Sequence, residues 1–147
     1  MLISITYLKL KVMCKLLNVK ILLGLLVVFL AVHVLATYYY WYWLIWWLDI
    51  PMHVAGGFLI AMFVLWYLEQ NRKELLPTLG FFDQFLLVLG AAALIGVFWE
   101  FYEFFYDVFF KSQLGFYVVQ LGAIDTVKDL ADDLLGATVA FIIFKRY

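Results

Sequence analysis

Long apolar runs separated by short polar stretches set the pattern of this chain. The first run covers residues 21–36 and continues through 37–48, which carries Tyr38, Tyr39, Tyr40, Trp41, Tyr42, Trp43, Trp46 and Trp47. Rings of this kind gather where a membrane meets water. The second run, 50–68, lies between Asp49 and the polar stretch 69–74. A third starts near Asp83, a plausible helix N-cap, and stays apolar to about residue 110. The fourth begins at Asp125 or Thr126 and reaches Phe144, just before Lys145 and Arg146. Crossing a bilayer takes about 20 mostly apolar residues. The pattern therefore predicts an all-α polytopic membrane protein, with a four-helix transmembrane bundle spanning about 21–40, 49–68, 83–107 and 125–144 and forming a single membrane domain over 1–147.

Composition agrees. Of 147 residues, 68% are apolar, 21% aromatic and only 14% charged, and mean hydropathy is +1.02. Polar side chains are too few to cover a water-exposed surface. A net charge of −1 offers nothing to a polyanion, so nucleic acid is not an expected partner. Cys14 is the single cysteine, which excludes an internal disulfide.

The basic residues orient the bundle. Lys9, Lys11, Lys15 and Lys20 precede the first run, Arg72 and Lys73 lie between the second and third, and Lys145 and Arg146 close the chain. Eight of the ten thus fall on one side, while Lys111 and Lys128 lie in or beside the third connection. The positive-inside rule puts both termini in the cytoplasm. A competing reading makes residues 1–36 a cleavable signal peptide ending at Val34-Leu35-Ala36. The basic region is long for that role. In the first 20 residues the lysines do not gather on one helical face, so a surface-lying helix gains little support.

The acids are placed less evenly than the bases. Glu69, Glu74 and Asp83 belong to the cytoplasmic side, and the other eight (Asp49; Glu100, Glu103, Asp107; Asp125, Asp129, Asp132, Asp133) fall at the outer ends of three spans. At 1.5 Å per residue and with a core of about 30 Å, Asp49, Glu103 and Asp125 sit at the outer boundary. His53, Glu100 and Asp129 lie about 5 to 6 Å deeper, and Asp133 roughly 12 Å deep. Each set shares a helical face with small residues: Gly56 and Gly57, then Ala92, Ala93 and Gly96, then Gly136 and Ala140. Small residues let transmembrane helices approach closely, so the acidic faces are expected to pack together with Phe, Trp and Leu turned to lipid.

An aspartate at mid-membrane costs about 2.5 to 3.5 kcal/mol, against about 0.3 to 0.6 gained per Leu, Ile, Phe or Val. The fourth span therefore needs partners, protons or an ion. Intramembrane ionisable residues are functional candidates for this reason. Several acids with one imidazole suit Mg²⁺, Mn²⁺ or iron better than a structural zinc site. The expected metal ligands are His53, Glu100, Asp125, Asp129 and Asp49. Glu100, Glu103 and Asp133 are the expected catalytic groups for hydrolysis of a lipid or lipid-linked substrate. The alternatives are a proton- or ion-coupled transporter, for which four short spans would require a homo-oligomer, or a structural or accessory subunit without catalysis. Solvated headgroup-level charges are the plainer reading of Asp49, Asp107 and Asp125, and packing or pore lining that of His33.

Other chemistries lack residues. The chain has no Gly-x-Ser-x-Gly, Walker loop or His-Glu-x-x-His, and Ser4, Ser112 and Cys14 lie away from the acids. A haem held by His33 and His53 would need both at one level.

Asp49-x-x-x-His53-x-x-x-Gly57-Phe58, Glu100-x-x-Glu103-Phe104 and Asp125-Thr126-x-x-Asp129, with Gly136 after it, together resemble the small bacterial inner-membrane proteins typified by YjdF, which have no established activity. The same order is similar to the VanZ-like proteins linked to glycopeptide resistance. Those usually carry Gln where Glu103 stands, Asn where Asp133 stands, and an Arg ahead of the last helix that is not found here. The resemblance covers roughly 49–140 and implies a shared polar site on His53, Glu100, Glu103, Asp125 and Asp129. It implies no reaction.

Overall fold

The computed structural model describes residues 18–111, 118–119 and 121–145. Lys9, Lys11, Cys14, Lys15, Ser4, Ser112 and Arg146 lie outside them. Four long helices appear among the described residues: α1 (Val19–Tyr38), α3 (Asp49–Asn71), α4 (Phe81–Tyr106) and α5 (Ala123–Phe144), with a short α2 (Trp41–Leu44) after α1. No strand is found among the described residues. A 3-10 turn, Leu76–Thr78, joins α3 to α4, and α4 runs on into a π-helical turn, Asp107–Lys111.

Local sequence sets the ends. Asn18 caps α1 by accepting from the Lys20 amide at 2.9 Å. Asp83 was expected as an N-cap, but α4 begins two residues earlier and Asp83 reaches back to accept from the Gly80 amide at 3.1 Å. A carboxylate three residues inside a helix serves the first-turn amides as well as one at the cap. α1 continues unbroken through Val34-Leu35-Ala36, and Ala36 is buried. Tyr40, at φ 60°, turns the chain out of α1. This is a left-handed position that costs a side chain about 1 kcal/mol or more.

The most extensive interface joins α3 and α5, α4 packs on both, and α1 rests chiefly on α3. Two glycines make the α3–α5 contact close. A methyl on Gly57 would overlap the Asp133 backbone, and one on Gly136 would overlap the Val54 carbonyl. Toward the end where α3 finishes and α4 begins, Ala61, Leu65, Val88, Ala92, Ala137, Ala140 and Phe141 form the core. Phe141 takes edge contacts from Phe81 and Phe85, and Lys145 Nζ stands 3.6 Å over the Phe81 ring.

α1, α3 and the stretch Phe81–Phe110 are long and apolar enough to cross a membrane. α5 carries Asp125, Lys128, Asp129, Asp132 and Asp133 and falls outside that description. Its charge is turned inward, however: Asp129 and Asp133 are buried while Leu135, Val139, Ile142 and Ile143 are exposed. An exterior of aliphatic and aromatic side chains around buried carboxylates is the arrangement a bilayer requires.

Candidate functional site

The site is built on the i, i+4 repeat of two helices. Asp49 opens α3 and His53 follows one turn on, while α5 presents Asp129 and Asp133 at the same spacing. Because Gly57 and Gly136 let the helices approach, the two pairs meet. His53 Nε2 lies 3.5 Å from Asp49 Oδ1 and 3.9 Å from Asp129 Oδ2, and His53 Nδ1 lies 3.4 Å from Asp133 Oδ1. His53, Asp129 and Asp133 are buried, and Asp49 is part-exposed at the acidic end of the bundle.

Lys128 closes this cluster from the solvent side. Its Nζ donates to Asp129 Oδ1 at 2.6 Å and to Asp49 Oδ2 at 3.2 Å, and pairs with Asp125 Oδ1 at 3.6 Å. Asp125 thus meets the cluster through Lys128, and its other oxygen accepts from the Leu121 amide at 3.3 Å.

Each of the two glutamates accepts a side-chain hydrogen bond. Thr126 donates its hydroxyl to Glu100 Oε2 at 2.6 Å, tying α5 to α4, and Trp99 Nε1 donates to Glu103 Oε1 at 2.9 Å. Both glutamates are buried. Asp107 accepts from the Val119 amide at 2.8 Å, which anchors the connection ahead of α5. Asp132 Oδ2 is buried with no hydrogen-bond partner among the described residues.

His33 lies apart from His53 in its bonding. Its Nδ1 is 2.9 Å from the Tyr42 hydroxyl, and its ring packs edge-on to Trp99 with centroids 4.7 Å apart. Burial first, then the charges of Asp49 and Glu103, push the Tyr42 phenol above its ordinary range, so it stays neutral. The aromatic stretch makes tertiary contacts: Tyr42 hydrogen-bonds with His33, and Trp43 Nε1 donates to the Val118 carbonyl at 3.1 Å.

One ligand atom each from Asp49, His53 and Asp129 falls within 4.8 Å of the others. Ligands about 2.1 Å from a common ion stand about 3.0 Å apart at right angles and about 3.4 Å at the tetrahedral angle. The 3.5 and 3.9 Å separations exceed the right-angle spacing, so an octahedral ion would draw the three ligands inward by about 0.5 to 0.9 Å. Asp133 on the far nitrogen leaves Nε2 facing the two carboxylates. A carboxylate behind a ligating imidazole is the usual support for a metal-bound histidine.

A cavity of about 520 Å³ opens from the cluster between α1, α3 and α4. Asp49, His53, Glu103, Asp133 and Tyr42 line one end, and aliphatic and aromatic side chains line the rest.

Of the residues expected to share a site, the structure brings His53, Asp49, Asp129 and Asp133 together, while Glu100, Glu103 and Asp125 form no ion pair with the imidazole among the described residues. Thr126, Tyr42 and Trp99 went unnoticed as partners. Lys128, beside Asp129 and three residues after Asp125, is among the cluster's candidate groups on sequence alone, and the structure shows which acids it reaches.

Compared with known proteins, neither a curated protein nor a solved structure matches. Nothing found supports the VanZ-like resemblance. The family model described as Predicted membrane protein (DUF2238) matches residues 1–147, and the chain belongs to that family.

Proposed function

With membership of a membrane-protein family as the premise, we propose that this chain, in a YjdF-like branch of it, is a four-span inner-membrane protein with both termini cytoplasmic that holds a divalent cation on Asp49, His53 and Asp129. The observation that carries this reading is the convergence of one imidazole and two carboxylate atoms within 4.8 Å. Asp133 fixes the His53 ring from behind at 3.4 Å. Oxygen-rich donors with a single imidazole favour Mn²⁺, Mg²⁺ or Fe²⁺.

The reaction that fits is hydrolysis of a lipid or lipid-linked substrate. A cation here would polarise a phosphoryl or carbonyl oxygen and ease deprotonation of water. Glu103 lines the same cavity as His53 and Asp133 and is the carboxylate available to take that proton. Glu100, held by Thr126, is assigned to positioning α5 against α4. The test is metal content of the purified chain and of Asp129→Asn. Retention of about one Mn²⁺ or Fe²⁺ per chain, lost in the variant, supports the reading, and equal metal in both overturns it.

Lys128 favours a second reading, in which the cluster is a structural ion-pair network of an accessory subunit. Its ammonium already neutralises Asp49 and Asp129. In that case Lys128→Met destabilises the bundle, and divalent ions do not restore it.

A further inference from the structure

The cavity beside the cluster has a form that selects its occupant. It follows α3 from Asp49 to Val64, a run of about 22 Å at 1.5 Å per residue. A volume of about 520 Å³ drawn out over that length leaves room for an extended hydrocarbon chain.

Polarity runs along its length. Asp49, His53, Glu103 and Asp133 stand at one end, and Leu22 and Val64 close the other. The wall is also open sideways. Ring contacts between α1 and α4 lie at Trp99, which meets Phe29 and His33, and one turn on at Tyr102, which meets His33. Away from Trp99, Leu23, Leu26 and Leu94 line the cavity while remaining 54%, 41% and 57% exposed. An apolar slot open along the outside of a membrane helix admits a chain laterally without drawing it through water.

We infer that this cavity binds a hydrocarbon chain of a membrane amphiphile, entering between α1 and α4, with its phosphate headgroup at the Asp49 and His53 end. The inference rests on the cation reading for the headgroup, because Asp49, Asp129, Asp133 and Glu103 outnumber the one Lys128 ammonium beside them and a phosphate there calls for a bridging ion. Seating of the chain depends only on the apolar slot. Ala91 lines the slot toward its apolar end, about 18 Å along α4 from Glu103. A larger side chain there shortens the slot without touching the cluster.

The experiment uses the full chain in detergent or nanodiscs with two lysophosphatidic acid probes, one with a sixteen-carbon and one with an eight-carbon chain, the longer carrying a photoreactive diazirine near its methyl end. The long probe should label α1 and the Val64 end of α3, and Ala91→Phe should weaken it at least tenfold while leaving the short probe within about twofold. The exposed residue Leu86, which is not part of the slot, provides the control Leu86→Phe, with no change expected. Labelling spread over the lipid-facing surface, or equal loss of both probes in a folded Ala91→Phe, overturns the inference. The label map of the wild-type chain decides if that variant fails to fold. Mn²⁺ binding measured on the same samples separates the two claims. Chain binding without Mn²⁺ sinks the cation reading alone, and Mn²⁺ without chain binding sinks this one alone.

Discussion

Asp133 Oδ1 stands 3.4 Å from His53 Nδ1, behind the imidazole and away from Asp49 and Asp129. This relationship gives the ring its direction: Nε2 is left facing the two carboxylates that complete the cluster. Asp133→Asn keeps the shape and removes the charge. Its Mn²⁺ affinity should fall about 10- to 100-fold, with the melting temperature in the presence of chelator little changed. Titration calorimetry on folded protein checks this, and unchanged affinity would show that Asp133 does not support a ligand.

The two histidines should behave differently. His33 is engaged by Tyr42 and Trp99, so His33→Phe is expected to leave Mn²⁺ binding intact. His53→Gln should abolish it.

The α3–α5 crossing depends on glycine where backbones meet. Gly57→Ala and Gly136→Ala should each destabilise the bundle by about 1–3 kcal/mol through forced separation of the helices. Gly24 and Gly90 have open space around them. Alanine there should be neutral, or stabilising by up to about 1 kcal/mol from helix propensity. Thermal unfolding in detergent compares the four variants.

Much of this arrangement was legible in the sequence because it follows from periodicity. Asp49 with His53, and Asp129 with Asp133, share faces by the i, i+4 rule, and the glycines on those faces said which would pack. The limits of α3 and α5 also fell within a few residues of expectation, since polar residues bracket both. What the sequence could not supply was reach. Lys128 extends from the rim to join three aspartates, and Thr126 crosses to Glu100 on another helix. Such contacts depend on side-chain length and helix rotation, which spacing along one helix does not encode. The slot along α1 was invisible for the same reason: a gap between helices has no residue of its own.

Lys128 offers a test of how the acids are neutralised. Its side chain is 41% exposed, so removing it as Lys128→Met should cost only about 1 kcal/mol, near the range of exposed ion pairs. If a divalent ion shares the cluster, the melting temperature of this variant should respond to Mn²⁺ more strongly than that of wild type. In the structural-network reading the response is absent.

Alkaline pH probes Tyr42. Burial raises its pKa in the folded state, so the neutral phenol contributes stability that is fully present below about pH 10 and is lost as pH rises through the folded value. Tyr42→Phe should be less stable than wild type at pH 7, by about 1 kcal/mol for the lost His33 hydrogen bond. The difference should shrink above about pH 10. A constant gap would show that the phenol is not held neutral by its site.

The central claim is that Asp49, His53 and Asp129 hold one divalent ion, and Mn²⁺ binding followed by electron paramagnetic resonance on the full chain in nanodiscs tests it most directly. One saturable site per chain is expected, with a spectrum altered from the aqueous ion and absent from a His53→Gln, Asp129→Asn double variant that still shows the wild-type helical content. An aqueous Mn²⁺ spectrum in the folded wild-type chain, indistinguishable from that of the double variant, would contradict it.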